Sequence, residues 1–154
     1  MPGGIERGRC CRSTPPGFPP IDVRLPLYVD VAKMSLGTRG AGMHLSTTRM
    51  STLRRNLCAL LVDELDLAHC IDLKPRAKFA LAEPAESRVT SWIEEHLELT
   101  WTTRLQPAEV EAQVVGSLLP PFNDAWAHGG PYWRHIAASR ARLRTVVEEV
   151  ASGR

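Results

Sequence analysis

Apolar residues recur at the spacing of an α-helix in two parts of the chain. One stripe of leucines runs over 52–65, and Ser51 before it offers a side chain that can cap the first turn. The other stripe runs over 83–97, where Glu83-Pro84 opens the pattern. The two stripes consist of Leu53, Leu57, Leu60, Leu61, Leu65, Val89, Trp92, Ile93 and Leu97. The pattern therefore predicts two helices, each with one buried face.

Prolines delimit a third predicted helix. Pro107 suits its first position, where a missing N–H loses no helical hydrogen bond. Pro120-Pro121 ends it, since proline disfavours helical backbone in the residue before it. A fourth helix is predicted from about 131 to 151.

Three short runs have the composition of β-strands, namely 25–32, 77–82 and 99–105. The first has Pro26 near its start, and the third combines threonines with Trp101. The predicted order is strand, helix, strand, helix, strand, helix, helix. This order predicts one small α/β (α+β) domain, with a small antiparallel or mixed sheet flanked by helices.

Length and composition indicate how many domains the chain has and where it acts. The chain has 154 residues, which is a single-domain length, and residues 1–24 are rich in glycine, proline and arginine without periodicity. We therefore expect a disordered or atypical segment over 1–24 and one domain over 25–152.

No apolar run is long enough for a membrane span, and the four cysteines form no C-x-x-C pair. A cytoplasmic protein is expected, and a net charge of +2 does not by itself indicate nucleic-acid binding.

Glu111 is unusual among the carboxylates because it lines up with apolar residues. Val115, Leu118 and Leu119 follow it at helical spacing on the same face. A carboxylate at the edge of a buried face reaches water, pairs with a cation or binds a hard metal ion. The pattern alone leaves all three open.

Four groups of residues stand in a distinctive order: Leu27-Tyr28-Val29, then Arg39, then Ser51 to Arg55, then Glu111 to Asn123. The last group is a glutamate, two apolar residues three and four positions on, a proline turn and an asparagine. In this order and spacing the chain resembles the GIY-YIG nuclease superfamily, and its small stand-alone bacterial members in particular. The resemblance implies a GIY-YIG-like fold and phosphodiester cleavage in DNA with one divalent ion, usually Mg²⁺.

The resemblance also implies roles for single residues. Glu111 would hold the metal ion, and Arg39 would stabilise charge on the phosphoryl group. Tyr28 would help to activate the attacking water, with His44 assisting by general acid–base chemistry. Asn123 would order the site or contact the substrate.

Two adjacent arginines are predicted to bind substrate. Arg54 and Arg55 lie at the start of the first helix, where backbone N–H groups also favour phosphate. The last helix carries further basic residues, for which a solvated surface is the alternative interpretation: Arg134, His135, Arg140, Arg142 and Arg144.

The other site residues have structural alternatives too. A tyrosine in a strand is usually part of the core, with its hydroxyl satisfied at the edge, and this applies to Tyr28. Arg39 and His44 can be surface residues of a loop, and Asn123 can shape a turn. The candidate site therefore depends on the fold.

Two features depart from the family pattern. The nearest counterpart of a Gly-Ile-Tyr strand is Gly4-Ile5-Glu6, and Asp30 stands where a glycine is expected after Tyr28-Val29. Two interpretations follow: an active metal-dependent endonuclease, or an inactive remnant that serves as a DNA-binding or interaction module. A helical DNA-binding regulator is a third, which the strand patterns at 77–82 and 99–105 disfavour.

Overall fold

The computed structural model describes residues 26–32, 35, 44, 46–74, 78–123 and 129–153. The predicted segment 1–24 lies outside the described residues, so the domain boundaries stay a prediction. The helices are α1 (Thr52–Leu60), α2 (Glu83–His96), α3 (Pro107–Leu118) and α4 (Trp133–Ala151). A short 3-10 helix spans Ala68–Cys70, and the strands are β1 (Ile71–Lys74) and β2 (Lys78–Leu81). The α+β class predicted from the sequence is confirmed.

Helix α1 begins as predicted and ends earlier. The Ser51 side chain accepts a hydrogen bond from the Arg54 N–H and so caps the first turn. The helix stops at Leu60 instead of Leu65, and Asp66 then adopts a left-handed backbone with φ 48°. This turn brings Leu61, Val62 and Leu67 into the interior together.

The two strands form one antiparallel pair, with Ile71 opposite Leu81 and Lys74 opposite Lys78. The predicted strand over 77–82 is confirmed as β2, whereas β1 was not predicted. The strand predicted over 25–32 is wrong for the described residues 26–32, which form no strand. The strand predicted over 99–105 is also wrong, because that segment is irregular and Leu99, Trp101 and Leu105 are exposed. β-Propensity fails there because it reflects packing on a sheet, and no neighbouring strand covers these residues in the described parts of the chain.

The core forms where α4 packs on α1 and on the 3-10 helix, with α2 against α1. It is apolar and contains Leu57, Cys58, Ala59, Leu61, Val62, Leu67, Phe79, Leu81, Ala85, Val89, Trp92, Ile93, Phe122, Ile136, Leu143 and Val147. Helix α3 contributes little, since Val115 is its buried residue and lies outside this cluster. Phe122, in the turn after α3, joins the chain beyond α3 to the core.

Helices α2, α3 and α4 agree with the prediction to within two residues at each end. Pro84 and Pro107 occupy first-turn positions, and α3 ends where Leu119 takes a left-handed backbone directly before Pro120. Within the described residues, no helix combines the length and the apolar character that crossing a membrane requires.

Candidate active site

Tyr28 and His44 lie together. Their ring centroids are 5.4 Å apart and the rings are inclined by 67°, an edge-to-face contact. The two residues come from segments sixteen positions apart in the chain, and His44 is buried while Tyr28 is half-buried. The contact brings together two of the four residues predicted to be catalytic.

Both ring nitrogens of His44 are engaged. Nε2 lies 2.8 Å from Oδ2 of Asp30, and Nδ1 lies 2.8 Å from Oγ of Ser51. The Asp30 and His44 side chains are only 18% and 10% exposed, so water competes little for this hydrogen bond. Ser51 is fully buried and also caps α1, which ties the imidazole to the start of that helix.

Asn123 holds the segment that carries Tyr28. Its Oδ1 accepts from the Val29 N–H at 2.9 Å, and its Nδ2 donates to the Val29 carbonyl at 2.7 Å. The neighbouring Phe122 N–H donates to the Leu27 carbonyl at 3.1 Å. The amide side chain thus supplies the donor and acceptor that a neighbouring strand would give. The role of Asn123 in this arrangement is to order the segment around Tyr28.

A second amide anchors the turn that contains Asn123. Asn56 of α1 donates from Nδ2 to the Phe122 carbonyl at 3.2 Å, and Arg140 of α4 donates from Nε to the Asn56 Oδ1 at 2.7 Å. Asn56 is fully buried. The turn after α3 is therefore fixed to both α1 and α4, and the segment 26–32 is fixed to that turn.

Arg54, one of the two arginines predicted to bind substrate, is buried between α1 and α2. Its side chain is 0% exposed and pairs with Glu86 of α2, with Nη2 2.7 Å from Oε2. Its other donors meet Thr48, Thr90 and the Glu86 carbonyl. The fully buried guanidinium therefore links α1 to α2, and the predicted substrate contact of Arg54 stays a prediction.

Arg55, its neighbour, is half-buried and lies at the surface of α1. Its guanidinium donates to the Arg49 carbonyl at 2.9 Å and to the Thr52 hydroxyl at 3.0 Å. The predicted substrate contact of Arg55 stays a prediction.

Cys58 lies against the buried cluster around Arg54, with Sγ 4.0 Å from the Thr48 hydroxyl. Burial raises the pKa of this thiol to about 12, against partial opposition from the Thr48 contact. A thiol that stays protonated is neither a nucleophile nor a metal ligand at neutral pH. Cys58 therefore belongs to the core.

Glu111 is half-buried in the first half of α3, the helix that leads into the turn of Asn123. No cluster of three or more histidine, cysteine or acidic side chains suited to a metal ion occurs among the described residues. Arg39 lies outside them. The roles predicted for Glu111 and Arg39 stay predictions.

Comparison with known proteins identifies the family. A family model described as the GIY-YIG catalytic domain matches residues 24–140, more than half of the chain. The chain therefore belongs to the GIY-YIG family, and this membership indicates nuclease function in general. Searches of the curated proteins and of the solved structures found no match.

Sequence reasoning missed four residues that shape this site. Asp30 stood out only as a departure from a glycine, and Ser51 only as a helix cap. Asn56 and Glu86 were not singled out, because their partners Phe122 and Arg54 are identified only by the packing of separate segments. A buried polar residue within an apolar helical stripe, as Asn56 is within α1, is the pattern that could have directed attention to it.

Proposed function

We propose that this protein is a metal-dependent DNA endonuclease of the GIY-YIG type, acting in a bacterial cytoplasm. The observation that carries the proposal is the packing of Tyr28 against His44 in a segment that Asn123 holds by both hydrogen bonds to Val29. Family membership supplies the reaction class, and this geometry supplies a preorganised tyrosine. A side chain held in one position by its surroundings is what catalysis by proximity requires.

Glu111 is proposed as the metal-binding residue. Mg²⁺ keeps several water ligands and commonly takes only one or two carboxylates, together with substrate phosphate oxygens. A single half-buried carboxylate on α3 fits that requirement without a cluster of acidic residues. The bound ion would polarise the scissile phosphate and stabilise the leaving oxygen.

Tyr28 is proposed to act as a general base in its phenolate form, which takes up a proton from the attacking water and so becomes the neutral phenol. Arg39 is proposed to stabilise the phosphoryl group with its forked donors. His44 supports Tyr28 through the ring contact, and direct proton exchange between His44 and the site needs its contact with Asp30 or Ser51 to open. Arg55 is proposed to contact the DNA backbone from the surface of α1.

Asp30 favours a second candidate function. Its carboxylate lies two residues from Tyr28, where the family pattern has glycine, and a negative charge there opposes the close approach of the scissile phosphate to Tyr28. In this alternative the chain keeps the scaffold and serves as a DNA-binding or interaction module without cleavage.

The test is cleavage of labelled branched and linear DNA with and without Mg²⁺, comparing wild type, Glu111→Gln and Glu109→Gln. Glu109 is the matched control, because it is an exposed carboxylate on the same helix. We expect wild type and Glu109→Gln to cleave alike, and Glu111→Gln to lose at least about 100-fold in rate with DNA binding retained. Binding without cleavage by the wild type would favour the alternative, and equal cleavage by all three proteins would overturn the role of Glu111.

A further inference from the structure

We infer that Asp30 is a positioning residue, which fixes the protonation pattern and orientation of His44 and, through His44, the place of the Tyr28 ring. The contacts that carry this inference are the Asp30–His44 pair at 2.8 Å, the Ser51–His44 pair at 2.8 Å and the edge-to-face packing of His44 on Tyr28. Its consequence for cleavage rests on the proposed function.

The proton positions follow from the partners. A carboxylate can only accept, so Nε2 of His44 must carry the proton that it donates to Asp30. The Ser51 hydroxyl accepts the Arg54 N–H and donates its own proton to Nδ1 of the neutral ring. Every donor in this chain of contacts meets an acceptor. Neutral His44 is therefore held as the Nε2–H tautomer, and Asp30 is the partner that selects it.

The same contacts prevent the ring from turning. Rotation of the imidazole by half a turn would carry both nitrogens away from Asp30 and Ser51, in a place where the ring is nine-tenths buried. Tyr28 and Asp30 flank Val29, whose backbone Asn123 holds at both N–H and carbonyl. Both flanking side chains meet one imidazole, so the segment is fixed at three consecutive residues.

This arrangement gives Asp30 a purpose at a position where the family pattern has glycine. The carboxylate accepts a hydrogen bond from the imidazole instead of standing unpaired toward a phosphate. Because both nitrogens of His44 are used within the protein, its part in catalysis is to hold Tyr28. The phenolate form of Tyr28 then takes up the proton of the attacking water.

The direct test is nitrogen-15 NMR of the histidines in the full chain, comparing wild type, Asp30→Gly and Asp30→Asn. We expect the Nε2–H tautomer of His44 in wild type and in Asp30→Asn, whose amide oxygen still accepts from Nε2, and a tautomer mixture in Asp30→Gly. The Tyr28 ring resonances should shift in Asp30→Gly, while those of Tyr132, the second of two tyrosines, stay in place and report intact folding. An Nδ1–H tautomer in wild type, or identical spectra in all three proteins, would overturn the inference.

The kinetic test is a double-mutant cycle on cleavage between Asp30→Gly and His44→Ala. Because Asp30 acts through His44, Asp30→Gly should lower kcat about 10- to 100-fold, with KM changed by no more than about 2-fold. In the His44→Ala background the same substitution should change kcat less than about 2-fold. An equal loss in both backgrounds would mean that Asp30 acts on folding or substrate and not through His44. A wild type that does not cleave would refute the proposed function, whereas the NMR comparison would still decide the role of Asp30.

Discussion

Two regions of this protein are held together by different forces. The helical body, formed by α1, β1, β2, α2 and α4, buries apolar side chains against one another around a shared core. The site segment, residues 26–32, is only partly buried and forms no strand. It is held by side chains from elsewhere, with Asn123 on Val29 and His44 on Asp30.

The difference separates stability from geometry. Apolar burial is non-directional and accounts for most folding free energy, so the body can absorb changes at its surface. Hydrogen bonds contribute less free energy but fix positions and angles. The body therefore sets whether the chain folds, and the polar contacts set where Tyr28 stands.

The largest expected effect is the loss of the buried ion pair inside the body. Arg54→Ala leaves the Glu86 carboxylate, 12% exposed, without its cation, and should lower the free energy of unfolding by about 3–5 kcal/mol. Arg55→Ala, one residue along the same helix, should change it by less than about 0.5 kcal/mol. Urea denaturation of both variants provides the measurement. If Arg54→Ala lowered the free energy of unfolding by no more than about 0.5 kcal/mol, as expected for Arg55→Ala, the stability of the body would not depend on the Arg54–Glu86 pair.

The next effect is on thiol reactivity, which tests whether the interior of the helical body excludes solvent and reagents. Because burial raises the pKa of Cys58 from 9.0 to about 12, its thiolate fraction near pH 8 should be about 1000-fold below that of an ordinary cysteine. In a Cys10→Ser, Cys11→Ser background, a disulfide reagent should modify half-buried Cys70 and leave Cys58 intact until denaturant is added.

The sign of the pH dependence of stability follows from the same shift. The unfolded thiol ionises at its ordinary pKa, while the folded thiol stays protonated, so stability falls as pH rises from about 9 toward about 12. A Cys58→Ala variant should lose this part of the alkaline dependence. In the labelling experiment, rapid modification of Cys58 in the native protein would show that the reagent reaches the core without unfolding.

A smaller effect is expected in the site segment. Asn123→Ala leaves the Val29 N–H and carbonyl without their partner and should lower the free energy of unfolding by about 1–3 kcal/mol. Hydrogen exchange at the Val29 amide should accelerate, because the bond that protects it is gone. Gln113→Ala, an exposed amide on α3, is the control and should leave both quantities unchanged. Unaltered exchange at Val29 would mean that Asn123 does not hold the segment.

The smallest effect is expected at the surface of the body. Arg142 and Asp63 pair at 2.6 Å with side chains 58% and 67% exposed, so Arg142→Ala should change the free energy of unfolding by less than about 0.5 kcal/mol. The change should vanish at high salt, and Arg144→Ala serves as the exposed control on the same helix. A loss comparable with that of Arg54→Ala would remove the contrast between buried and exposed pairs.

Helices were predicted well because their signals are local. Ser51 caps α1, prolines open α2 and α3, and leucines at helical spacing define buried faces within a single segment. The strands were predicted poorly, since a strand exists only when a partner pairs with it. The run 99–105 has the composition of a strand but remains irregular, whereas β1, which was not predicted, pairs with β2.

The candidate site divides in the same way. Tyr28, Glu111 and Asn123 were predicted from motif order, and all three lie within the family match over 24–140; their roles stay predictions. Adjacent Arg54 and Arg55 looked alike in the sequence, but only Arg54 turns into the interior to meet Glu86.

By itself, the sequence determined the family, the helices and the residue types available for chemistry, because each of these depends on neighbours along the chain. Only the tertiary structure decided that Asp30 pairs with His44, that Asn123 replaces a strand partner for Val29, and that Arg54 is buried. The physical reason is that a polar side chain acquires its role from the donor or acceptor placed opposite it. In this protein those partners lie on segments separated along the chain and meet only through packing of the core.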